Sequence, residues 1–362
     1  MKRRRLLLLP LLLCSIGLAA CDTLGYYRQA VGGQFQLLGQ RQKIDVLLQS
    51  DSTSPELKAR LRSVQDILAF ARDELELPAD GQYTTYVELD RPFVVWNVFA
   101  TPEFSLQPLT WCYPIAGCVT YRGWFSETNA VKHARKLEAE GYDVYLGGVA
   151  AYSTLGWFSD PVLSTLVQRP EHRLAMLLFH ELAHQKFYLP GDTEFNESFA
   201  TAVEQFGLEQ WLVSRAGSEQ AALLLAGLAQ EQARRAEFLA LVQSAATDLD
   251  ILYQSGADST ALRKDKADRM AALRMEYQSL KATWGGDAAY DAWFAQEINN
   301  AQLATVATYN SYVPAFKALF DHCAAQWPCF YAQLQELAKV PATERRARLA
   351  AVLEFPILFP DR

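Results

Sequence analysis

The chain has 362 residues, with 34 Lys and Arg against 41 Asp and Glu for a net charge of −7, and half of its residues are hydrophobic. That length can bury a sizeable core in one large or two small domains. The acidic balance argues against nucleic acid as a partner, because phosphates need a basic surface, and against a polybasic membrane patch.

Residues 1–20 have the layout of a secretory signal: Lys2, Arg3, Arg4 and Arg5, then an apolar run over 6–20. That run of 15 residues is too short to span a bilayer comfortably. Leu18-Ala19-Ala20-Cys21 resembles the bacterial lipobox, in which the cysteine becomes the lipidated first residue. The resemblance implies a mature chain that starts at Cys21 and is held to the membrane by acyl chains. It would face the periplasm, and Asp22 resembles an inner-membrane retention signal without deciding between the two membranes. Four positive and no negative charges leave with the leader, which takes the net charge from −7 to −11.

Residues 21–80 read as an N-terminal helical segment, with Pro55 and Glu56 opening its strongest run. Residues 81–207 combine strands with the metal-binding helices described below. Stretches 83–89, 93–99 and 118–125 are rich in β-branched and aromatic residues and are expected as strands. Residues 129–141 predict a helix ending in glycine. Residues 142–153 predict a strand carrying Gly147-Gly148, a pair that often marks a bulge or a close backbone approach.

From Pro170 on, the pattern is almost wholly helical. Pro170 suits the first helical position and Glu171 the first turn. Pro190-Gly191 cannot continue a helix, and Asp192 or Thr193 can cap the next one. Residues 208–286 read as a helical hairpin broken at 255–259, and 287–362 as a C-terminal helical part. No internal repeat is visible. The fold class expected is α+β: a small mixed or antiparallel sheet before a helical metal-binding core and a mostly helical C-terminal half. Cys112/Cys118 and Cys323/Cys329 lie in two close pairs, each enclosing a turn-former, and local disulfides are expected in an exported chain.

The most informative feature is His180-Glu181-Leu182-Ala183-His184. Histidines four apart on a helix face the same way and can share one metal ion, and the glutamate between them can activate a water there. The surrounding run Leu174, Met176, Leu177, Leu178 and Phe179 predicts a buried helix, where two histidines and a glutamate are expensive unless paired or metal-bound. His172 lies two turns away, too far to join the same ion, and reads as structural. Twelve residues separate His184 from Glu197, enough for the chain to turn back and supply a third ligand.

His180-Glu181-Leu182-Ala183-His184-Gln185 followed by Asn196-Glu197-Ser198-Phe199-Ala200 and Val203-Glu204 resembles the gluzincin metallopeptidases. The nearest pattern is that of the alanyl/leucyl-type zinc aminopeptidases, whose second motif reads Asn-Glu-Gly-Phe-Ala. More specifically, the chain is similar to a bacterial family of lipoproteins described as zinc aminopeptidases, over most of the mature chain, including Asn299-Asn300-Ala301 and Val313-Pro314-Ala315-Phe316.

The resemblance implies one Zn²⁺ held by His180, His184 and Glu197, with Glu181 as general base. It also implies a peptide substrate. The edge strand at Gly148 and Ala150 would pair with that substrate, and Glu194 would hold its free amino group. Tyr309 is the first candidate for the oxyanion donor, followed by Tyr312 and His322. Two departures stand out. The gap between the motifs is shorter than in the large aminopeptidases. Thr201 also occupies the position where related enzymes place an aspartate behind a histidine, which leaves Asn196 or Glu204 for that task. Two other functions fit the pattern: a zinc endopeptidase, and an envelope scaffold or adaptor with a structural zinc whose hairpin binds a partner.

Overall fold

The computed structural model describes residues 25–113, 117–150, 159–306 and 312–354. The leader and Cys21 lie outside them, as does Tyr309.

A first helix, α1, covers 25–39. After a short strand β1 (Gln42–Lys43) come α2 (Ile44–Gln49) and α3 (Pro55–Asp73). Ser54 caps α3 by accepting from Leu57 N, and Pro55 sits where its missing N–H costs nothing. The strands are β2 (Thr85–Val87), β3 (Val95–Pro102), β4 (Trp111–Tyr113), β5 (Gly117–Val119) and β6 (Arg122–Trp124), followed by α4 (Glu127–Ala139) and β7 (Tyr142–Val149). Among the described residues, β6-β3-β7 form an antiparallel sheet with β7 at its edge, and α4 packs on one face. Cys112 and Cys118 face each other across the β4–β5 hairpin and are disulfide-bonded.

The fold class is α+β, as the composition of its elements predicts, with helices prevailing in the C-terminal half. The expected strand at 83–89 shortens to Thr85–Val87 because Tyr83 adopts a left-handed backbone (φ 53°) and turns the chain. The expected strand from 142 is β7 up to Val149, and 151–158 lie outside the described residues. Pro170 stands one position earlier than expected, as the N-cap of its helix.

Strand β8 (Val162–Leu163) pairs parallel with β2 and leads into α5 (Ser164–Val167), then α6 (Glu171–Lys186). Helix α7 (Thr193–Tyr253) runs on through position 207 into the hairpin, interrupted only at Gly217 (φ 76°, ψ 167°), a conformation that glycine adopts readily. Helix α8 (Ser259–Thr283) returns antiparallel, capped by Asp258, whose carboxylate accepts from Thr260 N and Ala261 N. The remaining helices are α9 (Asp291–Phe294), α10 (Asn300–Ala304), α11 (Val313–His322), α12 (Trp327–Ala338) and α13 (Ala342–Glu354). Cys323 and Cys329 are disulfide-bonded at the α11–α12 turn. No helix among the described residues is long and apolar enough to cross a membrane.

The main core joins α3, α6, the first half of α7 and α11–α13. The hairpin has a core of its own, in which Phe238 stacks on Tyr290 (centroids 3.9 Å apart) and Tyr277 on Phe294 (4.0 Å). A polar network ties this hairpin to the sheet. Lys266 donates to Asp143 (2.6 Å) and to Glu103 O (2.9 Å). Asn300 donates its backbone N–H to Asp143 and its amide to Glu103 O, and accepts from Tyr253 OH. Asn299 donates to Val144 O. The Asn299-Asn300 motif therefore docks the hairpin on β3 and β7.

Candidate metal centre

Helix α6 buries Leu174, Ala175, Leu178, Phe179, Leu182 and Ala183, a stripe that fixes its rotation against the core. Truncating one such leucine to alanine costs about 2–5 kcal/mol, so this helix has little freedom to turn. With the stripe inward, His180 and His184 project along one flank, their ring centroids 4.9 Å apart.

Helix α7 brings the third group. Asp192 caps it by accepting from Phe195 N at 3.2 Å. Asp192 is itself held by Arg345 of α13, a 2.6 Å ion pair in which both side chains are largely buried. Arg345 also donates to Val340 O and lies over the Phe195 ring. Asn196 is buried and closes the loop between the helices. Its Oδ1 accepts from Leu189 N and its Nδ2 donates to Leu189 O, both at 2.8 Å. Phe195 and Phe199 plug into the core, Phe195 edge-on to Phe316 with centroids 5.2 Å apart. The Val313–Phe316 motif thus braces α7 from below.

This framework sets Glu197 opposite the histidines. Glu197 Oε2 lies 3.4 Å from His180 Nε2, and Oε1 lies 3.7 Å from His184 Nε2. One ligand atom from each of the three residues falls within 4.8 Å of the others, so the group could hold a metal ion. Donors about 2.0–2.1 Å from a tetrahedral ion lie about 3.4 Å from one another, so the imidazole–carboxylate spacings fit such an ion.

The outer partner of His180 is Glu204, whose Oε2 accepts from Nδ1 at 3.1 Å. Of the two residues considered for support behind a histidine, Glu204 takes the task and Asn196 holds the loop. Once the ring is neutral, a proton kept on Nδ1 by Glu204 leaves the Nε2 lone pair turned to the ligand group. Burial works against a proton on His180, but Glu197 and Glu204 outweigh it and hold the imidazole up to about 10. His184 is pushed down to about 4, first by burial and then by the charge on His180. Burial alone would raise the Glu197 carboxyl, yet the two imidazoles keep it below the ordinary carboxylate range.

Glu181 sits on α6 between the histidines. A residue that sequence reasoning missed, Tyr83, lies in its neighbourhood. Its hydroxyl is pushed well up by burial, then by the charges of Glu181 and Asp160. The backbone N–H of Tyr83 donates to Asp160 O at 3.1 Å. Neither Tyr83 nor Arg345 carries a local signal in the sequence, since each reaches the site across a long chain separation.

Glu194 stands one turn before Glu197 on α7. Its Oε2 accepts from Tyr312 OH at 3.2 Å and lies 3.6 Å from Arg346. Arg346 also donates to the Tyr312 oxygen at 3.1 Å. Tyr312 is thereby placed beside Glu194, at the start of α11, while His322 ends that helix. On β7, Gly148 faces Trp96 of β3, and a Cβ there would meet the Phe93 ring at 2.2 Å. Close packing of Phe93 accounts for this glycine. The carbonyl of Ala150 accepts from Thr165 Oγ1 at 2.7 Å.

With this geometry in place, the family model described as "Putative aminopeptidase" matches residues 25–349. The chain belongs to this family. The match spans the sheet, both metal-site helices, the hairpin and α13 as far as Leu349. It supports a peptidase acting on peptides. No curated protein and no solved structure matches the chain.

Proposed function

We propose that the chain is a zinc-dependent aminopeptidase of the bacterial cell envelope, lipid-anchored through Cys21 and facing the periplasm. The observation that carries this reading is the convergence of one ring nitrogen from each of His180 and His184 and a Glu197 carboxylate oxygen within 4.8 Å, with Glu181 on the turn between the histidines. A purely structural metal site has no use for that extra carboxylate.

When bound, zinc supplies a Lewis acid that acidifies water and polarises a peptide carbonyl. His180, His184 and Glu197 would hold it. Glu181 takes the proton of the attacking water and passes it to the departing amine. Glu204 keeps His180 in the tautomer that presents Nε2. Glu194, oriented by Tyr312, supplies the negative charge that a free α-amino group requires. Arg346, 3.6 Å from the same carboxylate, offsets part of that charge. Tyr309 remains the first choice for the oxyanion donor.

The test is hydrolysis of aminoacyl fluorogenic substrates by the purified protein, with its metal content measured alongside. One zinc per chain, loss of activity with chelator, and a fall of about 10²–10⁴-fold in kcat for Glu181→Gln at unchanged zinc content are expected. Equal activity in wild type and Glu181→Gln would sink the reading. Preference for N-terminally blocked peptides would move it to an endopeptidase.

A further inference from the structure

Among the described residues, helix α1 meets the body of the protein along one side only. Tyr26 and Leu37 are buried there. Gln29 clamps the strand end, its Nε2 donating to Gly123 O at 3.3 Å and its Oε1 accepting from Phe125 N at 3.1 Å. The helix therefore cannot roll. On the opposite side Arg28, Val31, Gly32, Phe35 and Gly39 are exposed, at spacings of three and four that put them on one face. Phe35 is 69% exposed and Val31 53%.

The charge of this stretch runs against that of the chain. Residues 25–43 carry Arg28, Arg41 and Lys43 and no acidic residue, in a protein whose net charge is −7. All three cations are exposed. This stretch is too sparsely charged to be a polybasic patch, but it is apolar at the centre of its exposed face, basic towards its ends and without acidic residues of its own, while the exposed Asp90 and Glu127 lie to one side, lining a pocket with Gln29, Gly33 and Gln36. The stretch itself has the composition of a surface lying on anionic headgroups.

Chain length settles what this face can reach. Three residues separate Cys21 from Gly25, and the four steps between the two Cα atoms make a tether of at most about 14 Å. Acyl chains on Cys21 would hold that residue at the headgroup level. The start of α1 could then never leave the surface by more than the tether.

We infer that the exposed face of α1, centred on Val31 and Phe35, lies on the phospholipid surface. With lipidated Cys21 it forms a two-point attachment that fixes how the enzyme is oriented on the membrane. This rests on the lipid-anchor reading above. The added element is that Phe35 and Val31 enter the headgroup region while Arg28, Arg41 and Lys43 meet anionic phosphates.

The experiment places the photo-crosslinker p-benzoylphenylalanine in the full-length protein, at Phe35 in one variant and at Met275 in another. Met275 of α8 is an equally exposed apolar residue (67%) and serves as control. The variants are irradiated in bacterial membranes, and the mass of the N-terminal peptide is measured in parallel to show whether Cys21 carries lipid. Phospholipid adducts at 35 and none at 275 are expected. The lipidated Val31→Ser/Phe35→Ser variant should also be released from phosphatidylcholine–phosphatidylglycerol vesicles about tenfold more readily than wild type.

Lipidated Cys21 without lipid adducts at 35, or with equal adducts at 275, overturns the two-point attachment and leaves the anchor standing. Adducts at 35 to a second copy of the chain overturn it in favour of self-association. Unlipidated Cys21 in a protein absent from the membrane fraction overturns the anchor reading and this inference together.

Discussion

Glu204 holds His180 from behind: its carboxylate accepts from Nδ1 at 3.1 Å while Nε2 faces Glu197. The two glutamates lie seven residues apart on α7, two turns of one helix, so a single element supplies both the facing carboxylate and the support behind the histidine. Replacing Glu204 by alanine should lower metal affinity or activity about 10–100-fold, and Glu204→Gln, which keeps an acceptor but not the charge, should lose less. Chelator competition gives the affinities. Glu197→Ala should lose the metal outright, and an equal loss for Glu204→Ala would make Glu204 a ligand.

Metal binding should be strongly pH-dependent. In the metal-free protein His180 is held up to about 10 from an ordinary value of 6.5, so it is protonated at neutral pH and must lose that proton to bind an ion. His184, lowered to about 4, is already neutral. About one proton should leave per ion bound at pH 7, and affinity should rise about tenfold per pH unit up to about 10. Calorimetry in buffers of different ionisation enthalpy counts the protons. The same shift sets a stability trend. A raised folded value stabilises the metal-free protein fully below pH 6.5, and that contribution fades as pH climbs towards about 10. Melting temperatures of the metal-free protein should fall across that window.

The Arg345–Asp192 pair is the strongest candidate for a remote residue that governs the site. Arg345→Met leaves Asp192 with little exposure and without its ion-pair partner, and should cost about 3 kcal/mol of stability. Asp192→Asn keeps an N-cap acceptor and should cost less. Denaturant unfolding separates the two. Residual folded Arg345→Met should still bind metal, more weakly, because α7 starts less firmly.

Gly148→Ala tests whether this glycine serves packing or substrate. The added methyl meets Phe93 at 2.2 Å, and overpacking of this kind costs about 1–3 kcal/mol. Combining it with Phe93→Ala should return part of the loss attributable to the clash. A fall in kcat/KM at unchanged stability would show instead that a substrate needs the space.

Much of the site was legible because its signals are local. The helical spacing of His180 and His184, the breaker Pro190-Gly191 and the capping Asp192 all act within a few residues of where they stand in the chain. Glu197 was reachable because only twelve residues separate it from His184. What could not be read are the contacts closed by tertiary structure. Arg345 finds Asp192 across 153 positions, and Tyr83 leaves its strand for a left-handed turn. The family motifs away from the metal behaved differently from one another. Asn299-Asn300 docks the hairpin, while Phe316 braces α7, and neither role has a periodic signature. Helix α7 runs through the expected boundary at 207 because nothing between Thr193 and Gly217 breaks a helix.

The clamp of Asn196 on Leu189 has a bearing on how relatives of this chain can be recognised. One side chain occupies both backbone groups of a residue seven positions earlier, which fixes the arc between the two metal-site helices. The twelve-residue interval between His184 and Glu197 is then a ruler with no slack. An insertion there would have to abandon the asparagine, the spacing or the metal site. A search pattern that demands asparagine immediately before the glutamate, at this interval, therefore selects for a closed loop as well as for ligands. It should separate chains that share this architecture from those that merely share the histidines.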